Sequence, residues 1–250
     1  MSSIQQGSKK EIITRLQKEI HLLQGFKPAP ADSFGSMGLG PVETAFPHAV
    51  FPKNAIHEFL AFSPENAAAC NGFIGGLLHT LMQHGGACLW ISTGRNLFPP
   101  ALKAFGVAPD RIIFIDLVQE KDVLWAMEEA LKCEGLAAVI AEVKTVSLSA
   151  SRRLQLTVEK SGITGLILRN DAQRLCSTAC VARWQISPME SKTEDGMPGL
   201  GFPRWKVELL KVRNGNPGKW GIEWSAGQFK PLTNPSSKAE ELTGLHKNAG

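Results

Sequence analysis

The stretch that decides the fold is IHEFLAFSPENAAACNGFIGG, residues 56–76. Ile56 and Phe59 are typical of a buried strand, whereas Ser63 is a good helix N-cap and Pro64 suits the first helical position. After them, apolar residues recur at the spacing of a helix face: Phe73, Ile74, Leu77, Leu78 and Leu81. The stretch therefore predicts a strand, a tight turn and a helix, which is the arrangement that holds a phosphate-binding loop in many proteins.

The chemistry of a phosphate-binding loop is missing from this turn. The turn reads Ser63-Pro64-Glu65-Asn66-Ala67-Ala68-Ala69-Cys70-Asn71. It contains no Gly-Lys-Ser/Thr, and no Lys occurs between Lys53 and Lys103. A phosphate bound here would have no obvious counterion.

Length and composition limit the classes of protein to which this chain can belong. The chain has 250 residues, of which 43% are hydrophobic and 20% charged, as expected for one large α/β domain or two small ones. The net charge of +4 is too small to indicate nucleic-acid binding without local clustering. Five Cys, an odd number, favour reduced thiols and a cytoplasmic location. No apolar run approaches 18 residues, so we expect neither a signal peptide nor a membrane span.

Apolar strand patterns alternate with helical patterns through the middle of the chain. Strands are predicted at Ile56–Leu60, Ala87–Ser92, Arg111–Leu117, Leu136–Glu142, Thr164–Leu168 and Ala182–Ile186. Helices are predicted at Glu65–His84, Leu97–Phe105, Glu120–Glu134 and Ser149–Ser161. This order predicts an α/β fold with a mostly parallel sheet covered by helices. Ligands of such sheets bind at the carboxyl ends of the strands.

Four regions are predicted along the chain. Residues 1–25 form an amphipathic helix that either caps its own domain or docks on a partner, with an apolar face of Ile12, Leu16, Ile20 and Leu23. A Pro- and Gly-rich linker at 26–54 leads to the core at 55–230, and a polar, disordered tail occupies 231–250.

Metal-dependent and nucleophilic hydrolase chemistry is disfavoured. His57-Glu58 begins like a zinc-protease motif, but Ala61 stands where the second His is required. Cys176 and Cys180 have no second pair of ligands, and no G-x-S-x-G occurs.

Two other features have both a functional and a structural interpretation. Glu142 ends an apolar strand, where a carboxylate binds magnesium or orients water in nucleotide hydrolases, or simply caps the following turn. Arg152 and Arg153 open a helix, and face either a phosphate, a partner or solvent.

A basic hairpin is predicted near the C-terminus. Strand patterns at Arg204–Val212 and Trp220–Ser225 flank a turn at 213–218. Cations and Trp residues alternate along it: Arg204, Trp205, Lys206, Lys211, Arg213, Lys219, Trp220 and Trp224. Cations beside aromatic rings are typical of a nucleic-acid or protein interface. The alternative is a sheet edge whose Trp residues pack inward.

Three segments together resemble the ImuA family, the RecA-like proteins of bacterial SOS mutagenesis cassettes, some of which have been labelled SulA-like. They are LWAMEEALKCEGLAAVIAEV at 124–143, SASRRLQLTVEKSGITGLILR at 149–169 and GFPRWKVELLKVRNGNPGKWGIEW at 201–224. The resemblance covers about residues 50–230. It implies a RecA-like, P-loop-type domain that ends in an antiparallel hairpin.

The resemblance also implies partners. ImuA proteins act with ImuB, a relative of Y-family polymerases, and with an error-prone replicative-type DNA polymerase in damage-induced translesion synthesis. Single-stranded DNA and RecA are further candidate partners. The function implied is that of a non-catalytic accessory protein. The alternative is a weak ATP-binding switch, or an ATPase acting across a subunit interface with ATP and magnesium as cofactors.

Residue by residue, the resemblance places Ala69 where the loop Lys would be and Cys70 where the Thr would be. Glu142 takes the place of the second acidic motif, and Asn170 lies near the polar sensor position. Lys211 and Arg213 resemble the basic pair that RecA-like ATPases present to a neighbouring subunit's phosphates. The loss of the Lys and the Thr disfavours ATP hydrolysis.

Overall fold

The structure is a computed structural model, and it describes residues 36–170, 175–191 and 201–232. The predicted N-terminal helix lies outside the described residues, together with its apolar face of Ile12, Leu16, Ile20 and Leu23. Most of the predicted tail, from residue 233, lies outside them as well.

Nine strands and three α-helices are formed by the described residues. The strands are β1 (Ile56–Ala61), β2 (Ala87–Ser92), β3 (Ile112–Asp116), β4 (Leu136–Val143), β5 (Thr164–Asn170), β6 (Ala182–Met189), β7 (Arg204–Val212), β8 (Gly218–Ser225) and β9 (Gln228–Pro231). The helices are α1 (Pro64–Leu81), α2 (Glu120–Ala130) and α3 (Leu148–Ser161). None of these helices is both long and apolar enough to cross a lipid bilayer.

The nine strands form one sheet in the order β3-β2-β4-β5-β1-β6-β7-β8-β9. Neighbours from β3 to β6 are parallel, and those from β6 to β9 are antiparallel. This confirms the predicted fold class: an α/β, RecA-like domain with a mostly parallel first part and a C-terminal antiparallel hairpin.

Helices cover the sheet on two faces, each with its own core. On the face covered by α1, here called the α1 face, Phe59 and Trp184 stack with ring centroids 5.6 Å apart, and both side chains are fully buried. On the opposite α3 face, Ile167 packs with Met127 of α2 and Val158 of α3. Each such buried side chain contributes about 1.5–3 kcal/mol through the hydrophobic effect.

Helices α1 and α3 each begin at a Ser N-cap, and α3 ends at a glycine. Ser63 accepts a hydrogen bond from the backbone N–H of Asn66 (3.3 Å), with Pro64 at the first position of α1. Ser147 caps α3 in the same way, and Gly162, at φ +77°, ends it in the left-handed conformation that favours glycine.

Several predicted boundaries differ from the structure. The helix predicted at Leu97–Phe105 is a 3-10 helix at Pro99–Phe105, which begins with two prolines. Helix α2 ends at Ala130 rather than Glu134, where the chain turns towards β4. Strand β6 continues to Met189, beyond the predicted end at Ile186, because β7 pairs with it as far as that residue.

The linker prediction is wrong for the described part of 26–54. Residues 36–54 contain two short 3-10 helices, Gly40–Ala45 and Pro47–Ala49, instead of an extended chain. Their apolar side chains are buried in the core on the α1 face: Met37, Leu39, Val42, Phe46 and Phe51. The Glu43 carboxylate accepts the backbone N–H of Met37 (2.6 Å), which fixes the start of this segment.

Candidate functional site

The predicted nucleotide loop is a turn of only two residues. Strand β1 ends at Ala61 and helix α1 begins at Pro64, so only Phe62 and Ser63 lie between them. The remaining residues of the predicted loop belong to the first two turns of α1: Pro64, Glu65, Asn66, Ala67, Ala68, Ala69, Cys70 and Asn71. A phosphate-binding loop needs successive backbone N–H groups that converge on the anion. The turn has no room for one.

The first turns of α1 pack against the sheet. The Asn66 amide donates to the carbonyl of Ile186 (3.3 Å) and lies 3.4 Å from the Ser187 hydroxyl, both on β6. Cys70, at the position of the magnesium-binding Thr, is fully buried, and burial raises the pKa of its thiol to about 12. A neutral thiol in a helix core does not bind magnesium.

Glu142 and Asn170 come together at the carboxyl ends of β4 and β5. Glu142 is buried, with Oε1 accepting a hydrogen bond from Trp90 Nε1 (2.6 Å) and Oε2 accepting one from Asn170 Nδ2 (3.0 Å). Burial raises the pKa of the Glu142 carboxyl, although these hydrogen bonds oppose the shift. Both carboxyl oxygens therefore face neutral N–H donors inside the protein.

These residues do not fit magnesium and ATP. The chain offers no loop amides, no Lys at Ala69 and no hydroxyl at Cys70. Both oxygens of Glu142 already accept hydrogen bonds from within the chain, and burial raises the pKa of its carboxyl, which disfavours the ionised form that Mg²⁺ needs. Within the described ranges, no group of three or more His, Cys, Asp or Glu side chains could hold a metal ion.

A second buried carboxylate, missed from the sequence, lies on the α3 face. Glu58 of β1 forms ion pairs with Arg169 (3.0 Å) and Arg183 (2.8 Å), and accepts a hydrogen bond from Thr178 Oγ1 (2.8 Å). Glu58 and Arg169 are almost completely buried. The sequence contains a signal for this cluster, because Glu58 lies inside an apolar predicted strand and Arg169 directly follows another. When helices cover both faces of a sheet, such charged side chains are buried and need partners.

Lys211 and Arg213 hold the segment that leads into β6. Lys211 Nζ donates to the carbonyl of Thr178 (2.6 Å), and Arg213 donates to the carbonyl of Ala179 (2.5 Å). Arg213 also lies 3.9 Å from the Glu159 carboxylate. Burial lowers the pKa of Lys211. The donors that the resemblance assigns to a neighbour's phosphates are thus used within this chain.

The other hairpin cations are paired, and two of its Trp residues point inward. Lys219 and Lys206 both form ion pairs with Glu208 (2.6 and 3.1 Å), and Arg204 pairs with Glu223 (2.5 Å). The two buried Trp side chains lie beneath α1 and contact Phe105: Trp205 and Trp224. This arrangement matches the alternative in which the Trp side chains pack inward.

The two Arg residues at the start of α3 differ in their partners. Arg153 forms an ion pair with Glu128 of α2 (3.1 Å), which links the two helices across the α3 face. Arg152 is exposed to solvent. Because Arg153 is already paired with Glu128, only Arg152 of the two would be available to bind a phosphate.

Comparison with known proteins gives the family. No family model matches the sequence. Protein ImuA of Caulobacter vibrioides is 35% identical to this chain over 208 residues, which cover 78% of the chain and 84% of that relative. The same protein from a second strain of Caulobacter vibrioides has the same identity and coverage. The chain belongs to the ImuA family.

Proposed function

We propose that this chain is a non-catalytic, RecA-like accessory protein of a damage-induced translesion DNA-synthesis complex, in which it binds an ImuB-like relative of Y-family polymerases. Membership of the ImuA family supports the biological setting. The observation that supports a non-catalytic role is Glu142, whose two oxygens accept hydrogen bonds from Trp90 and Asn170 in the protein interior.

The proposal of a non-catalytic role is supported by what phosphoryl transfer requires. The reaction depends on fixed positive charge around the phosphates, supplied by a loop Lys, magnesium and Arg side chains. Here Ala69 replaces the Lys within a helix, and Arg213 donates to a carbonyl of its own chain. The sheet is retained as a scaffold, while the groups that would polarise a phosphate are not.

Partner binding is tested with the purified full-length chain and the ImuB-like protein of the same organism, both checked for folding. We expect a stable complex in size-exclusion chromatography and a saturable signal in calorimetry. An absence of association between the two folded proteins would overturn the proposal. ATP hydrolysis by the complex that depends on this chain would instead revive the ATPase alternative.

Direct DNA binding at the hairpin is a separate question, and one set of variants addresses it. Replacing Lys211, Arg213 and Lys219 with Ala would lower single-strand affinity and flatten its salt dependence if these cations bound phosphates. Because all three already have partners within the chain, we expect less than a twofold change in the affinity of the complex for single-stranded DNA.

A further inference from the structure

Exposed apolar side chains are concentrated at one edge of the sheet. Among the described residues, eleven large apolar side chains are at least 38% exposed. Seven of them lie at or near the carboxyl ends of the parallel strands, here called the carboxyl edge: Phe62, Phe98, Val118, Leu148, Leu175, Met189 and Phe202. Single exposed apolar residues are ordinary, so the feature of interest is that most of these side chains share one edge.

Three of these side chains lie at the same end of three neighbouring strands. Phe62 follows the last residue of β1, Met189 is the last residue of β6, and Phe202 lies two residues before β7. β6 pairs with β1 on one side and with β7 on the other, where Met189 is opposite Arg204. The three side chains are 43%, 43% and 40% exposed. They form the centre of the carboxyl edge, here called the apolar trio.

The opposite edge of the parallel strands carries fewer such side chains, with Ile113 near the start of β3 and Leu210 near the end of β7. Its turns run through 83–86, 106–111, 132–135 and 161–163, and none of these described turns carries a large apolar side chain that is more than one-third exposed. Since both edges consist of short connections between the same strands, the difference is not a general consequence of the fold.

Beside the apolar trio, Arg204 is paired with Glu223, and the described charges without an ion pair are negative. Glu65 lies three residues after Phe62, and Glu190 directly follows Met189. Both are exposed, and neither forms an ion pair within the described part of the chain. A hydrogen bond from the Ser63 side chain lowers the pKa of Glu65, which therefore stays ionised. These carboxylates repel phosphate at the edge where this fold ordinarily holds it, and attract Lys and Arg.

We infer that the carboxyl edge is the docking surface for a segment of the polymerase-like partner. Apolar side chains of that segment contact Phe62, Met189 and Phe202, and its basic side chains face Glu65 and Glu190. The inference rests on the proposed function and adds to it the surface and the chemistry of the bound segment. Aromatic and Met side chains are enriched in protein interfaces, and charges around them contribute to steering and specificity.

The apolar contacts are tested by replacing the trio together, Phe62→Ser, Met189→Ser and Phe202→Ser, in the full-length chain. We expect affinity for the purified ImuB-like protein to fall at least about 30-fold, as for the loss of an interface hot spot. The matched control is Ile113→Ser, Leu156→Ser and Leu210→Ser, which removes three equally exposed apolar side chains away from this edge. The control is expected to change affinity less than about threefold.

The charge contribution is tested by a second variant, Glu65→Lys with Glu190→Lys, which leaves the apolar trio intact. We expect a roughly tenfold loss of affinity at low salt and a smaller loss at high salt, because salt screens exposed charges. The matched control is Asp110→Lys with Glu134→Lys, which changes the net charge equally at the opposite edge. Circular dichroism and thermal unfolding show that each variant is folded.

The outcomes separate this inference from the proposed function. If the wild-type chain does not bind the ImuB-like protein, the proposed function fails and the inference fails with it. If the wild type binds and the folded trio and charge variants bind equally well, the inference alone is wrong. Hydrogen exchange of the complex gives a further readout. Protection at 62–66 and 187–191 supports the carboxyl edge, and protection confined to residues 1–35 contradicts it.

Discussion

Two buried glutamates, on opposite faces of the same sheet, are held in opposite ways. On the α3 face, Glu58 is surrounded by cations, with Arg169 and Arg183 both in direct contact. On the α1 face, Glu142 has no ion pair in the described structure and accepts hydrogen bonds from Trp90 and Asn170. On the α3 face the chain pairs its buried carboxylate with cations, whereas on the α1 face Glu142 has only neutral N–H donors as partners.

Other titratable groups on the α1 face agree with this difference. Burial lowers the pKa of His57 to about 4, so its imidazole is neutral near pH 7. Its Nε2 donates to the carbonyl of Pro52 (2.7 Å), and its Nδ1 accepts from Trp184 Nε1 (3.2 Å). Burial also raises the pKa of the Cys88 thiol to about 12. Each group is held in its uncharged form.

The largest expected effect is the loss of stability when Glu58, the ion-paired glutamate, is made neutral. Glu58→Gln leaves Arg169 and Arg183 buried without their counter-charge, which we expect to lower the free energy of unfolding by about 3–5 kcal/mol. Urea unfolding followed by circular dichroism measures this loss.

The control for this variant is Glu129→Gln, which removes the exposed pair with Lys132 and is expected to cost less than about 1 kcal/mol. If Glu58→Gln is no more destabilising than this control, the ion pairs of Glu58 do not stabilise the contacts of β1 with β5 and β6.

The next largest effect is the pH dependence of folding stability that arises from His57. Its folded pKa of about 4 lies below the unfolded value of 6.5. The stability it contributes is therefore present above pH 6.5 and is lost as the pH falls towards 4, because the unfolded chain binds the proton first. The shift corresponds to about 3 kcal/mol across this window.

Comparison with His57→Gln isolates the contribution of this group. The Gln amide can still donate towards the carbonyl of Pro52 but does not titrate, so we expect the variant to lose less stability than the wild type between pH 6.5 and 4. Equal pH dependence of the two proteins in urea unfolding would show that His57 is not held neutral.

The smallest effect is expected for Glu142→Gln. The folded pKa of Glu142 is raised, so the stability linked to its protonated form is present at low pH and is lost as the pH rises through that value. A Gln avoids burying a charge at high pH and can still accept from Trp90. We expect its stability relative to the wild type to rise by up to about 1 kcal/mol from pH 5 to pH 8.

A result of the opposite sign would contradict the interpretation that burial disfavours the ionised form of Glu142. If Glu142→Gln were more destabilising at pH 8 than at pH 5, the site would favour an ionised carboxylate, as a magnesium site does. Asp116→Asn, which removes the exposed pair with Arg95, serves as a control for ordinary surface electrostatics.

Local sequence patterns predicted the fold because they depend on near neighbours. Ser63-Pro64 marked the start of α1, and apolar strands between helices marked the parallel sheet. Glu142 and Asn170 meet because each lies at the carboxyl end of one of two neighbouring parallel strands, although their contact was not predicted. These are consequences of periodicity and of the common direction of parallel strands.

The parts that sequence could not predict depend on contacts between distant residues. Trp90 lies 52 residues from Glu142, and only folding brings its indole N–H to that carboxyl. Likewise, the carbonyl of Thr178, which accepts the hydrogen bond of Lys211, lies 33 residues away in the sequence. The linker was misjudged because Pro and Gly also occur in 3-10 turns that pack on a core.

The central claim is that the turn before α1 and the Glu142 carboxyl do not bind ATP and magnesium. Its most direct test is calorimetric titration of the full-length chain with ATP and magnesium, alone and in the presence of the ImuB-like protein. The account predicts no binding up to millimolar ATP in either case. Binding in the micromolar range that depends on magnesium would contradict it.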